Sequence, residues 1–218
     1  MSDSYSIKVD TKPFEDDFKL YLRKDFTFVP GINSLVGCNG SGKTTLINYI
    51  KRNLRKSKIN CIDYNDRHSG GQNMMSAMCE FGDMQGLANM FVASEGERIV
   101  QGLNPIFGSL KKFFSENKNK DAFILLDAID SGMSVDEIIE VRDVFLDLII
   151  PDAKSSYGID LYLVIAANNY EWCNDSRIHN INISTGKTLD IDSYETYKNI
   201  ILKSRKTKDK LRGVEPEE

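Results

Sequence analysis

Gly37-Cys38-Asn39-Gly40-Ser41-Gly42-Lys43-Thr44 is the stretch on which the fold turns, because it satisfies G-x-x-x-x-G-K-[ST] at every constrained position. A phosphate chain carries several negative charges, and a loop holds it only when many backbone N–H groups converge without side chains in the way. Glycines allow that approach. On this reading Gly37, Asn39, Gly40, Ser41 and Gly42 cradle the phosphates, and Lys43 brings a positive charge to the β- and γ-phosphates. The Thr44 hydroxyl offers one oxygen to Mg²⁺, and Thr45 lies in the first turn of a helix whose positive end faces the same anion. Ile32 to Val36 is a short apolar run of strand character and Thr45 to Ile50 begins a helix, so strand, loop and helix follow in order. Pattern and context together predict an α/β domain that binds a nucleotide.

Upstream, residues 5 to 36 alternate between apolar and polar, as in Phe18-Lys19-Leu20-Tyr21-Leu22 and Phe26-Thr27-Phe28-Val29, with a Pro30-Gly31 turn between strands. This predicts a β-layer that delivers the chain to the loop. Tyr21 has two readings, stacking on an adenine ring or packing across strands, and packing is the commoner job for such a residue. Downstream of the first helix, Ile59 to Tyr64 reads as a strand ending in a polar turn. Arg67 to Met90 follows, rich in Gly and Met; methionine suits core gaps and adaptable contact surfaces alike.

Ser94-Glu95-Gly96-Glu97-Arg98 opens a helix predicted to run past a break at Pro105 to Phe113-Phe114, with Ser94 and Glu97 spaced as a capping box. Further along, Ala122-Phe123-Ile124-Leu125-Leu126-Asp127 is an apolar strand ending in a carboxylate. A strand apolar on both faces belongs at the centre of a parallel sheet, and Asp127 at its carboxyl end can reach Mg²⁺. Asp130-Ser131-Gly132-Met133-Ser134 forms the next loop. Residues 135 to 150 make an amphipathic helix with Val135, Ile138, Ile139, Val141, Val144, Phe145 and Leu148 on its buried side, stopped by Pro151. Leu161 to Ala166 is another buried strand, running into Ala167-Asn168-Asn169. A hairpin over Ile178 to Ile191 turns at Thr185-Gly186-Lys187, and a last helix spans about Tyr194 to Arg205.

A length of 218 residues suits one ordinary domain, taken as 1–206, followed by a charged flexible tail over 207–218. With 41% hydrophobic and 28% charged residues the composition is that of a globular protein rather than a disordered or membrane one. No apolar run approaches a membrane span and the N-terminus lacks a signal-peptide pattern, so the expectation is a cytoplasmic protein. Four scattered cysteines without a C-x-x-C pair, beside two histidines, exclude zinc-site spacing and fit free thiols. A net charge of −4 argues against general attraction to nucleic acid; the basic runs at Lys51 to Lys58 and Lys203 to Arg212 read more simply as solvated helix faces.

In order and spacing, the phosphate loop, Ser94-Glu95-Gly96-Glu97, Ala122 to Asp127 and Asp130 to Ser134 resemble the Walker A loop, the S-x-G-E signature, the Walker B strand and the D-loop of ABC-type ATPase heads. More closely, the chain resembles the small stand-alone ABC/SMC-head-like P-loop ATPases, AAA/ABC-type ATP-binding proteins found in bacteriophage genomes. That resemblance implies an ABC-ATPase-like head with a mainly parallel sheet, an N-terminal antiparallel β-layer and flanking helices. It also implies ATP and Mg²⁺ as cofactors, with Thr44, Asp127 and Gln72 around the metal, and a homodimer on ATP binding. In that dimer Ser94, Gly96 and Glu97 of one copy cap the γ-phosphate held by the other. Ser69-Gly70-Gly71-Gln72 matches the tail of a second signature form, but its place after Lys43 assigns Gln72 to the γ-phosphate-sensing loop instead.

Two departures bear on catalysis. The Glu that follows the Walker B Asp in hydrolysing members is Ala128 here, and the switch His is Asn168. Loss of a general base costs about 10² to 10⁴ in rate. The expectation is a nucleotide-dependent switch with slow or absent hydrolysis, in which Asp127, Asp130 and Gln72 are the residues left for catalysis. An active but slow ATPase coupled to a DNA-processing or defence partner is the alternative. A P-loop small-molecule kinase is a third, although no Arg-rich lid is evident. The partner, protein or nucleic acid, is not specified by these motifs.

Overall fold

The computed structural model describes residues 4–13, 18–65, 110–130, 133–166 and 168–213. Its centre is a six-stranded sheet built from β3 (Gly31–Val36), β4 (Cys61–Asn65), β5 (Ala122–Asp127), β6 (Leu161–Ala166), β7 (His179–Asn182) and β8 (Thr188–Leu189). The order across the sheet is β4-β5-β6-β3-β7-β8; every pairing is parallel except the antiparallel β7–β8 edge. A separate two-stranded antiparallel ribbon, β1 (Tyr5–Lys8) with β2 (Asp25–Phe28), forms the N-terminal layer. The fold is therefore α/β with a mainly parallel sheet. No helix among the described residues is long and apolar enough to cross a membrane.

The uniform apolarity of the central strands follows from burial on both faces. Every residue of β5 and β6 is buried. Because successive side chains point to opposite faces, each strand feeds two cores. Ile124, Leu126, Leu163 and Ile165 join one core, beneath α2 (Val135–Val144) and α3 (Ile150–Tyr157), with Leu110 and Phe114 of the helical segment 110–116. Phe123, Leu125, Tyr162 and Val164 join the other, where α1 (Lys43–Lys56) brings Leu46, Ile47, Ile50 and Leu54 and the N-terminal ribbon brings Ile7, Phe26 and Phe28. Phe123 and Tyr162 are stacked across neighbouring strands with centroids 4.6 Å apart, and Tyr5 meets Phe123 edge-on at 5.0 Å. A third cluster seats α4 (Tyr194–Leu211) through Tyr197 on Val36, Cys173 and Ile191.

Four expectations are corrected. Phe18 to Leu22 is not a strand: Leu20 and Tyr21 are consecutive and both buried, against the alternation a strand requires. Leu20 donates its N–H to the Thr11 carbonyl and Leu22 donates to Ser184, so the segment is pinned by single bonds rather than a ladder. Pro151 does not stop the helix after α2. Residues Phe145–Ile149 form a π-helical turn, closed by the Ile150 N–H on the Phe145 carbonyl, and the helix runs on through Pro151 as α3. The widened turn also shifts the phase of the apolar stripe: Phe145 and Leu146 are buried, while Leu148 faces solvent, as does Val135 at the helix start. Finally, α4 does not end near Arg205. It continues to Leu211, so residues taken as a flexible tail from 207 are helical through that point, and Arg212 is tied to the Gly37–Thr44 loop.

Candidate functional site

β3, β5 and β6 deliver their carboxyl ends to one edge of the sheet, the place where open parallel sheets bind ligands. The loop after β3 turns through Gly40 (φ 73°) and Gly42 (φ 100°), conformations that side chains rarely adopt. Gly42 is also hemmed in: a Cβ there would meet Leu20 at 2.7 Å and Tyr21 at 3.0 Å. Tyr21 is fully buried, donates its hydroxyl to the Gly42 carbonyl at 2.8 Å and packs on Phe26, which resolves its two readings in favour of packing. Burial drives its hydroxyl pKa well above the usual tyrosine range.

Gly42 is the N-cap of α1, and neither a side-chain cap nor an acidic residue occupies the helix's first turn. The N-terminal N–H groups and the positive end of α1 thus point into a cleft of about 230 Å³ lined by Asn39, Gly40, Lys43, Thr44, Thr45 and Asp127, among others. The Lys43 ammonium, mostly buried, donates to the Gly37 carbonyl at 2.6 Å and to the Asn168 amide oxygen at 2.8 Å. The Thr44 hydroxyl donates to Asp127 Oδ1 at 3.1 Å. Asp127 is buried at the end of β5, opposite Ala166 of β6. Among the described residues no group of three or more His, Cys, Asp or Glu side chains could hold a metal by itself. Thr44 and Asp127 nevertheless place two hard oxygen ligands side by side, which is the donor chemistry Mg²⁺ selects when a phosphate completes its shell. The donor set therefore fits an anionic phosphate chain accompanied by a divalent cation.

Ser41 is buried with its hydroxyl oxygen lacking a hydrogen-bond partner among the described residues, and a Cβ added at Gly37 would come within 2.8 Å of that oxygen. Ala128 lines the cleft in a left-handed conformation (φ 58°) and donates its N–H to the Ala166 carbonyl at 2.9 Å. Asp130 is engaged elsewhere: its Oδ2 accepts the N–H groups of Asn168 and Asn169 at 2.6 and 2.7 Å, holding the turn after β6. Asn168 is thereby fixed from three directions, since its carbonyl also accepts the Tyr197 hydroxyl at 2.7 Å. Burial raises the pKa of that hydroxyl and pushes the neighbouring Cys173 thiol up to about 11. Gln72, Ser94, Gly96 and Glu97 lie outside the described residues.

Two contributors escaped sequence reasoning. Ser204 of α4 accepts the Cys38 N–H through Oγ at 3.1 Å, and Arg212 donates to the Gly40 carbonyl at 2.7 Å. Their signal was present as a four-residue spacing, Ser204-Lys208-Arg212, that puts all three on one helix face. The surrounding charge hid it. No protein-family model matches the chain, and no curated protein matches it either.

Proposed function

We propose that the chain binds Mg-ATP at the Gly37–Thr45 loop and acts as a nucleotide-dependent switch of the ABC/SMC-head type. The observation that carries this reading is the meeting of Thr44 and Asp127, 3.1 Å apart, beside Lys43 at the carboxyl edge of a parallel sheet. A chance glycine-rich turn would have no reason to bring a hydroxyl, a carboxylate and an ammonium from two distant segments into one cleft. In this function the loop's N–H groups and the start of α1 hold the phosphates, and Lys43 exchanges a loop carbonyl for phosphate oxygens. Thr44 and Asp127 would hold Mg²⁺, which supplies charge neutralisation between the phosphates.

Ala128 offers no proton acceptor, and the Asp130 carboxylate already accepts two backbone N–H groups, so binding outlasts hydrolysis. Discrimination between ATP and ADP comes from a second copy whose Ser94 to Glu97 closes on the γ-phosphate, making a head-to-tail dimer. Calorimetric titration with Mg-ATP tests the core of the reading: the wild type binds and Lys43→Ala does not. Light scattering in Mg-ATP and in Mg-ADP tests the switch. Absence of binding refutes the first part, and a monomer under both conditions refutes the second.

A further inference from the structure

We propose that α4 contributes a phosphate ligand of its own, Arg212, which grips the phosphate chain from the same polypeptide. The inference rests on the nucleotide reading above and adds to it a residue that no phosphate-loop motif contains. Arg212 lines the same cleft as Lys43, Thr44 and Asp127. Its Nη2 donates to the carbonyl of Gly40, in the middle of the loop, and a Cβ added at Gly40 would come within 3.6 Å of that nitrogen. The guanidinium also lies over the Phe18 ring, 5.4 Å from its centroid, a cation–π contact.

The position is built, because three features set it. Ser204, two turns earlier, is buried and accepts the Cys38 N–H, so α4 is fastened to the loop before Arg212 is reached. Arg212 is the C-cap residue of α4, its own N–H donating to the Lys208 and Asp209 carbonyls at 3.1 Å. A cation at a helix C-terminus is electrostatically favoured there. On the same flank Arg205 and Lys208 border an adjoining cleft of about 410 Å³ with Asn39 and Asn168; Asp209, which also lines it, is paired with Lys208 at 3.6 Å.

A guanidinium has five N–H donors, and a neutral carbonyl is a weaker acceptor than a charged phosphate oxygen. Phosphate at the loop therefore draws Arg212 inward through donors that the Gly40 bond does not use. Arg212 is a binding residue in this scheme and Ser204 a positioning one.

The test is calorimetric titration of the full chain with Mg-ATP. Arg212→Ala is expected to bind about 10- to 100-fold more weakly than wild type, the loss of one charge-assisted hydrogen bond. Arg212→Lys keeps the charge without the two-pronged geometry and is expected to lose a smaller factor. Lys210→Ala, an exposed cation on the same turn, leaves affinity unchanged. Circular dichroism checks that each variant folds. Unchanged affinity in Arg212→Ala, with the wild type binding, overturns the inference and leaves the nucleotide reading intact; if that variant fails to fold, unchanged affinity in Arg212→Lys does the same. A wild type that binds no Mg-ATP removes both.

Discussion

Replacing Ala128 with Glu asks whether the site lacks only a base. Ala128 follows Asp127 directly, lines the cleft and holds φ at 58°. The left-handed conformation costs a residue with a Cβ about 1–2 kcal/mol. Alanine already bears that cost, so an unbranched glutamate adds no new backbone strain. Ala128 shares the cleft wall with Thr44 and Asp127, and in the nucleotide-binding function proposed above a carboxylate there is the group to activate a water on the terminal phosphate. A general base contributes about 10² to 10⁴ in rate, or about 3 to 5 kcal/mol of barrier. Phosphate release at saturating Mg-ATP is the assay, with Ala128→Gln as the control of equal shape and Lys43→Ala as the background. We expect Ala128→Glu to exceed Ala128→Gln by about 100-fold or more. The reasoning is refuted if Ala128→Glu binds Mg-ATP as the wild type does yet turns over no faster than the glutamine variant.

Four further outcomes test the fold that carries the site. Lys58 occupies the left-handed position after α1 (φ 55°), where Ile59 donates to Leu54 and Lys58 to Arg55; Lys58→Gly should stabilise by about 0.5–1 kcal/mol and raise Tm by about 1–4 °C, while Lys58→Ala changes little. Asn33, fully buried in β3, accepts the Val29 N–H and donates to the Val29 carbonyl, so Asn33→Leu should cost about 1–3 kcal/mol for each group left unpaired, read by urea denaturation. Phe123→Ala, which empties a fully buried site stacked on Tyr162, should cost about 3–5 kcal/mol in the same assay. A hydrogen bond from Arg177 holds the Asp175 pKa down to about 2, below its ordinary value of 3.8. The group binds protons more readily unfolded than folded, so its stabilisation is present above about pH 4 and is lost as pH falls towards 2; Asp175→Asn should flatten that part of the stability profile, and an unchanged slope would contradict it.

How much was legible depends on how local each determinant is. The loop, β5 with its terminal Asp127 and β6 could be read because each is written in a few consecutive residues: glycines where the backbone must turn, and unbroken apolar runs where a strand is covered on both faces. Tyr21 could not be decided from its neighbours, because its hydroxyl partner, the Gly42 carbonyl, lies well along the chain. Pro151 misled because the rule that proline ends helices assumes a regular preceding turn, and here a π-helical turn changes the geometry. Asp130 was legible as a carboxylate on the loop after β5; its engagement with the Asn168 and Asn169 N–H groups was not.

By itself the sequence determined the chemistry at the sheet edge: which glycines, which ammonium, which hydroxyl and which carboxylate are present, with Ala128 directly after Asp127. Only the tertiary structure decided what these groups meet. Thr44 reaches Asp127 because β3 and β5 flank β6 in one parallel sheet. Lys43 reaches Asn168 because the turn after β6 lies over the loop, and Arg212 reaches Gly40 because α4 packs back across it. The physical reason is range. Backbone conformation and burial pattern are set by neighbours in sequence, whereas a hydrogen bond between distant residues exists only after the sheet has brought their strands together.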